Sequence, residues 1–499
     1  MSPDAETLQP DACYLALKAR DARFDGCFFT GVTSTGIYCR PVCRVRTPKR
    51  ENCRFFDHAA QAESAGFRPC LRCRPELAPH APRWSIQDAS DMLAHQAAQL
   101  LDEPEAWNGE PPSVDQLARR LGVSDRHLRR IFEARLGVSP LQYMQTRRLL
   151  TAKQLLADTD LPVTQVALVS GFASVRRFNA AFAQHYGLSP GQLRREGGPA
   201  GEGITVRLGY RPPYDVKAML AFFAKRAIVG VESTGASELG RTLAIEAAGQ
   251  VHAGWLVASF DEARHHVVVR VSDSLRQVLP IVIRRVRATL DLDADPLAIG
   301  SVLHASFPGT DGLRVPGTLS GYELAVRAVL GQQITVAAAR TLAQRLVTRF
   351  GVPIDTPVPS LTHLFPSAAA LAAAAPDALG ELGIVRQRQA AILAIARAVA
   401  DGRLQLHPGA DVPATVALLQ TLPGIGEWTA QYIAMRALRW PDAFPSGDVA
   451  LHKALGVQGS RQAAREAEAA SQAWKPWRSY AVIRAWASLD LPTQPVATA

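Results

Sequence analysis

The 499-residue sequence predicts a mainly helical, multidomain chain with small α+β parts, and three observations carry that expectation. Length alone suggests about three domains. Hydrophobic residues make up 47% of the chain, ample for packed cores, and from 291 to 490 the pattern is almost wholly helical. The rest is segmental: all seven cysteines precede residue 74, a helical pattern repeats within 113–195, and strand-like runs appear between 204 and 290.

No stretch of about 18 apolar residues lacks charges or breakers, so no membrane span is expected. The opening MSPDAETLQPDAC is acidic and has no apolar core of the kind a secretory signal needs. A cytoplasmic protein is expected, and there clustered cysteines bind metal or do chemistry more often than they pair. The net charge is +10, unevenly spread: residues 1–80 hold 12 Lys/Arg against 9 Asp/Glu, and residues 113–196 hold 13 against 6. Residues 81–112, with one Arg and six acids, read as a helix plus spacer. Concentrated positive charge suits a polyanion such as DNA, although charge alone is read more simply as a solvated basic face.

The first motif lies in the basic stretch GIYCRPVCRVRTPKRENCRFF, residues 36–56. Cys39 and Cys43 form one close pair, and Cys70 and Cys73 form another 26 residues later. Two short-spaced pairs across a loop are what a tetrahedral metal needs, and four thiolates favour zinc over harder metals. Cys13, Cys27 and Cys53 lack such pairing and read as buried apolar residues. A zinc staple alone would explain the cluster. A second chemistry is open too, because zinc-held thiolates stay ionised and nucleophilic beside arginines suited to phosphate. STGIYCRPVCRVR with GFRPCLRC resembles the N-terminal domain of the Ada adaptive-response family, over residues 1–80. That resemblance implies that Cys39 takes a methyl group irreversibly from a methylphosphotriester in DNA. It makes Cys43, Cys70 and Cys73 the other Zn²⁺ ligands and Arg46 a phosphate contact. Methylation would lower the site's negative charge and weaken its repulsion of DNA, turning repair into a binding switch.

Within 113–195, LARRLGVSDRHLRRIFEARLGVSPLQY is echoed by VALVSGFASVRRFNAAFAQHYGLSPGQLR. Each copy reads as helix, glycine-containing turn and second helix, the helix-turn-helix plan, with Ser113 as N-cap of the first. PLQYMQTRRLLTAKQLLA, residues 140–157, would be the joining helix. Arg126, Arg129 and Arg130 open one second helix and Arg176 and Arg177 the other, where a recognition helix meets base edges and phosphates. The layout resembles the AraC-type DNA-binding domain, assigned to 84–196; solvated arginines on a helical bundle are the plainer alternative. The resemblance implies operator DNA and RNA polymerase as partners. EGGPAGEG then reads as a flexible linker, placed at 197–203.

Residues 204–290 mix strand-like ITVRLGY and HHVVVRVS with helical VKAMLAFFAKRAI and LRQVLPIVIRRVRATL, an α+β domain, and 291–490 read as all-α. Inside the latter, LQTLPGIGEWTAQYIAMRAL places Gly424 and Gly426 in a tight turn between two helices. Such a turn aims backbone N–H groups at an anion such as a DNA phosphate. Asp448 follows Gly426 by 22 residues, and N-capping the helix VALHKAL is a second role it can fill without excluding the first. With RPPYDVKAMLAFFAKRAIVGVE, VRAVLGQQITVAAA and WKPWRSYAVIRAW, the segment resembles the AlkA-type 3-methyladenine glycosylases of the helix-hairpin-helix superfamily. The resemblance implies excision of alkylated purines, with Asp448 stabilising the developing sugar cation and Trp428, Tyr432 and Trp486 forming the base pocket. Electron-rich rings attract a cationic base more than a neutral one. Two positions depart from the family: Ala487 replaces a pocket aromatic, and Gln333, or Ile334 in its stead, stands where a leucine fills the gap left by the flipped base. Trp428 occupies the position of the lyase lysine of bifunctional relatives, so no Schiff-base step is expected. The absence of cysteine after Cys73 excludes a cysteine-ligated iron–sulfur cluster and the second methyltransferase of full-length Ada.

Together these readings predict an alkylation-response protein: sensor, promoter-binding domain and glycosylase in one chain. Two others stand beside it: a regulator whose glycosylase portion only binds DNA, and a glycosylase with a zinc-stapled DNA tether.

Overall fold

The computed structural model describes residues 9–80, 89–107, 112–194, 203–247 and 249–489. The linker expected at 197–203 lies, apart from Gly203, outside the described residues. The chain divides into two compact units: Met1–Pro212 with Ala244–Arg287 and Leu292–Asp295, and Pro213–Leu243 with Ala288–Asp291 and Pro296–Ala499.

The first unit opens with a four-stranded sheet ordered Cys53–Phe56, Phe29–Val32, Ile37–Cys39, Arg68–Pro69. The first three strands are antiparallel; the last runs parallel to Ile37–Cys39, in the register Ile37↔Arg68 and Tyr38↔Pro69. One step further along that register stand Cys39 and Cys70, and the Cys70 N–H donates to Tyr38 O at 2.9 Å. Phe29, Tyr38, Ala62, Phe67 and Ala78 form the small core beneath.

Two helix-turn-helix pairs follow, Val114–Arg120 with Asp125–Leu136 and Val163–Val169 with Val175–Tyr186. The 19-residue helix Pro140–Asp158 joins them. Ser113, Ser124, Ser139 and Ser174 each cap a helix by accepting a backbone N–H, and Gly122 (φ 67°) and Gly171 (φ 83°) take the left-handed turn positions. Leu117, Leu128, Phe132 and Leu136 fill the first core.

Buried charges tie these parts together. Glu63, 7% exposed, accepts from Tyr38 Oη at 2.8 Å and Thr146 Oγ1 at 2.5 Å, and His185 Nε2 lies 2.6 Å away as an ion pair. One carboxylate thus joins the strand of Cys39, the joining helix and the second recognition helix. Burial lowers the His185 pKa, but the Glu63 contact outweighs it and holds the ring above its ordinary 6.5. Glu63→Gln removes the charge and leaves buried donors poorly matched, an expected loss of about 2 kcal/mol. The His185 share of that loss is full below pH 6.5 and fades as pH rises through the raised value, so denaturant midpoints at pH 6 and pH 9 check it. Further ion pairs run Lys153–Glu76, Arg74–Asp158 (2.6 Å) and Arg207–Asp158 (3.0 Å), reaching the strand Ile204–Gly209. That strand pairs antiparallel with His266–Val271, which pairs with Gln250–Asp261.

In the second unit, helices Gly321–Leu330, Val336–Phe350, Arg386–Ala400, Val412–Thr421 and Glu427–Arg436 enclose one core, including Val326, Leu346, Ile392, Leu419 and Ile433. Buried apolar side chains stand at helical spacing in each, as the sequence pattern requires. Helices Val449–Ala454 and Arg478–Ser488 carry or cap the residues described next, Asp448 as N-cap of the first and Trp486 within the second. Among the described residues no helix is long and apolar enough to cross a membrane.

Candidate metal centre and active site

The parallel strand pair brings the two cysteine pairs together: the sulfurs of Cys39, Cys43, Cys70 and Cys73 all lie within 4.8 Å of one another. Tetrahedral zinc with Zn–S bonds near 2.3 Å requires sulfurs about 3.8 Å apart. Hydrogen bonds among the four thiols push Cys39 and Cys73 up and hold Cys43 and Cys70 down. The all-sulfur donor set and the sulfur separations fit zinc. Cys13 and Cys53 are buried and Cys27 is half-buried; burial raises the Cys13 and Cys27 thiols to about 11, leaving both inert near neutrality.

The arginines around the cluster divide into two kinds. Arg40 turns inward, donating through its backbone N–H to Cys73 Sγ at 3.4 Å and through its guanidinium to buried Asp25. Arg46 is exposed, as are Arg44 and Arg72, which flank Cys43 and Cys73 and which sequence reasoning did not single out. Their adjacency to the ligands was the available signal. Cys39 is 5% exposed, and Cys73 is the half-buried member of the four.

Both sets of recognition-helix arginines fall in the first turns of Asp125–Leu136 and Val175–Tyr186. Arg126, Arg130, Arg176 and Arg177 are exposed; Arg129 is braced by Asp125 at 3.0 Å, and Arg130 lies 3.2 Å from His127 Nδ1.

In the second unit Asp448 is both the N-cap of Val449–Ala454 and the carboxylate about which two indoles gather. Its Oδ1 accepts from Leu451 N–H at 2.7 Å and from Trp486 Nε1 at 3.0 Å, and its Oδ2 accepts from Trp428 Nε1 at 2.7 Å. A carboxylate offers about four lone-pair sites, so one on Oδ2 stays open. Asp448 is 7% exposed, while the three rings are half-buried. Trp428 and Tyr432, one helical turn apart, stack with centroids 5.2 Å apart and planes at 11°. Trp486 meets Tyr432 at 6.4 Å. Burial raises the Tyr432 phenol, but the guanidiniums of Arg436 and then Arg226 outweigh it and hold it below its usual value. The sequence showed the shared face of Trp428 and Tyr432; it gave no sign that two indoles converge on one acid.

Gly426 N-caps helix Glu427–Arg436, and among the described residues no side chain caps its first N–H groups. Gly424 sits at φ 75°, where a Cβ would lie 3.3 Å from Ala391 Cβ and 3.4 Å from Gln387 O. Gly424→Ala therefore combines left-handed strain with crowding, at an expected cost of about 1–2 kcal/mol in an unfolding titration. Gln332, which sequence reasoning passed over, ties the next loop to the hairpin by donating to Gly424 O at 2.9 Å and Thr429 Oγ1 at 3.0 Å. Beside it Gln333 is exposed at φ 55°, whereas Ile334 packs against the helical core. Of the two, Gln333 is the side chain at the loop's outer tip.

Four family models match the chain in sequence order. They are the metal binding domain of Ada over residues 12–76, a helix-turn-helix domain over 117–196, the AlkA N-terminal domain over 205–320 and the HhH-GPD superfamily base excision DNA repair protein over 326–479. A probable bifunctional transcriptional activator/DNA repair enzyme AlkA of Mycobacterium tuberculosis is 37% identical over 496 residues, covering 97% of each chain. DNA-3-methyladenine glycosylase 2 of Escherichia coli is 36% identical over 279 residues, 56% of this chain and 95% of that one. The bifunctional transcriptional activator/DNA repair enzyme Ada of Escherichia coli is 34% identical over 203 residues, 41% of this chain and 53% of that one. A zinc centre, paired helix-turn-helix units and a helix-hairpin-helix cleft in one chain, with a relative aligned from end to end, show that the chain belongs to the family of AlkA-type bifunctional transcriptional activator/DNA repair enzymes.

Proposed function

We propose that the chain excises alkylated purines from DNA through Asp448 and senses methylphosphotriesters through Cys39, the sensor domain regulating transcription. The observation that carries the first part is the single carboxylate held by the N–H groups of two cleft tryptophans. An alkylated purine is already a good leaving group, so the protein has chiefly to extrude it and steady the sugar. The extruded base stacks among Trp428, Tyr432 and Trp486. As the C1′–N bond breaks, its electron pair leaves with the base and positive charge grows on the sugar. The Asp448 carboxyl, held in place by three donors, faces that charge without having to reorganise. The open Oδ2 site orients the water whose oxygen bonds to C1′ and accepts the proton that this water gives up. Gln333 fills the gap in the duplex, with less apolar stacking than a leucine would give. Gly424 and Gly426 offer backbone N–H groups to a phosphate, and Ala487 leaves the pocket wider on one side. With Trp428 in place of a lysine, the abasic strand stays intact.

At the other end, Cys39, Cys43, Cys70 and Cys73 would hold zinc, which when bound keeps their sulfurs ionised at neutral pH. Cys39 Sγ forms a bond to the methyl carbon while the methyl C–O bond breaks, and the electron pair stays on the phosphodiester oxygen. Arg46, with Arg44 and Arg72, holds the neighbouring backbone. The recognition-helix arginines then grip operator DNA, and RNA polymerase is the partner an activator needs; such work belongs in the cytoplasm. Wild-type protein incubated with a methylated duplex tests the reading: free 3-methyladenine should appear, with no strand cleavage and no borohydride-trapped adduct. Absence of free base would favour a DNA-binding regulator, and a trapped adduct would contradict the single-step chemistry.

A further inference from the structure

The cleft holds a positive charge that the chemistry above does not use. Arg436, one turn beyond Tyr432, is 5% exposed. Its Nε and Nη2 donate to the carbonyls of Pro316 and Gly317 at 2.8 and 2.9 Å, and its Nη1 donates to the Tyr432 hydroxyl. Neighbouring arginines are neutralised: Arg327 pairs with Glu232 and Glu323 at 2.9 Å each, and Arg439 with Asp291. Among the described residues no carboxylate forms an ion pair with Arg436. Its guanidinium also lies 5.3 Å from the Tyr432 ring centre and 4.8 Å from that of Phe222, which Arg226 approaches at 3.7 Å.

We propose that Arg436 is a specificity-determining residue that lowers the pocket's preference for a cationic damaged purine over a neutral one. The proposal rests on the glycosylase reading. Two physical effects support it. A ring whose π-density already faces a fixed cation attracts a second cation less, and beside a guanidinium as buried as that of Arg436 the two positive charges repel with little screening. The hydrogen bonding works in the same sense. Both indole N–H groups are taken by Asp448, and the Tyr432 oxygen accepts from Arg436, so its own hydrogen is left to donate to an acceptor atom of the base. A donor of that kind serves a neutral purine as well as a charged one. Discrimination for cationic lesions then resides more in their labile glycosidic bond than in the pocket.

Single-turnover base release from duplexes carrying one 7-methylguanine (cationic) or one hypoxanthine (neutral) tests this in the full chain. Arg436→Met, similar in length but uncharged, should raise the cationic-to-neutral rate ratio about tenfold. Arg436→Lys, which keeps the charge and loses the planar fork, should keep the wild-type ratio even where both rates fall. Equal losses on both substrates in Arg436→Met would reduce Arg436 to a structural part and overturn the proposal. Should Arg436→Met fail to fold, inhibition of the wild type decides: 7,9-dimethylguaninium should bind no tighter than neutral 7-methylguanine, and tenfold tighter binding of the cation overturns it. If the wild type released neither base, the glycosylase reading itself would fall, an outcome distinct from release with an unchanged ratio.

Discussion

Asp448→Asn is expected to lower base release by at least about 100-fold, the usual loss when a preorganised electrostatic group is removed. The fold should survive, because asparagine caps helices about as well as aspartate and Leu451 N–H keeps its acceptor. The loss is local to the cleft. An amide has one acceptor oxygen where the carboxylate has two, so its NH₂ group must face one of the two indole N–H groups. Negative charge opposite the sugar vanishes and one tryptophan loses its tether at the same time. Single-turnover release of 3-methyladenine measures the first effect, and an unchanged unfolding midpoint separates it from misfolding. An Asn variant as fast as the wild type would remove Asp448 from the chemistry and leave it a helix cap.

Withdrawal of zinc is expected to have the largest effect on stability. Apparent zinc-binding free energies of small structural sites are of order 10–16 kcal/mol, more than the sheet Phe29–Pro69 and its five-residue core can replace. Chelation should melt that segment, and the ion pairs Arg40–Asp25 and Lys153–Glu76 with it. Operator binding should weaken as the joining helix and the second recognition helix lose the Glu63 anchor. Base release should persist within a few-fold, since Asp448 and its rings belong to the second unit. Circular dichroism and base release, followed together during chelator titration, check both halves of this expectation.

Much of the fold was legible because it is local. The paired helices follow from apolar spacing and from Gly122 and Gly171, and ITVRLGY and HHVVVRVS contain the strands Ile204–Gly209 and His266–Val271. The long hairpin Glu238–Ala247 and Gln250–Asp261 escaped notice, because ELGRTLAIEA interrupts its alternation with glycine, arginine and glutamate. Its buried Arg241 is paired to Glu232 and Glu323, partners that lie on other elements. The site divides the same way. Residues four apart on one helix, Trp428 and Tyr432, announce their shared face. The indole bonds of Trp428 and Trp486 to Asp448 span 20 and 38 residues and depend on tertiary packing. Likewise the cysteine spacing suggested a metal, but the parallel pairing that closes it shows only in the folded chain. Arg211 is the extreme case. Fully buried, it donates to the carbonyls of Asp25, His80, Asp293 and Ala294, binding the cysteine-bearing segment to the strand-bearing part of the first unit. In sequence it is one arginine among many in a basic chain.

The central claim is that one polypeptide carries two separate alkylation chemistries, one at a sulfur and one at a carboxylate. A single incubation of the purified full chain with methylated duplex DNA tests it most directly, with free 3-methyladenine quantified in solution and peptide mass mapping of all seven cysteines. The account predicts free base in catalytic excess over protein, together with one methyl group on Cys39 and none elsewhere. Absence of free base, or a methyl group borne by Cys73 or another cysteine with Cys39 unmodified, would contradict it.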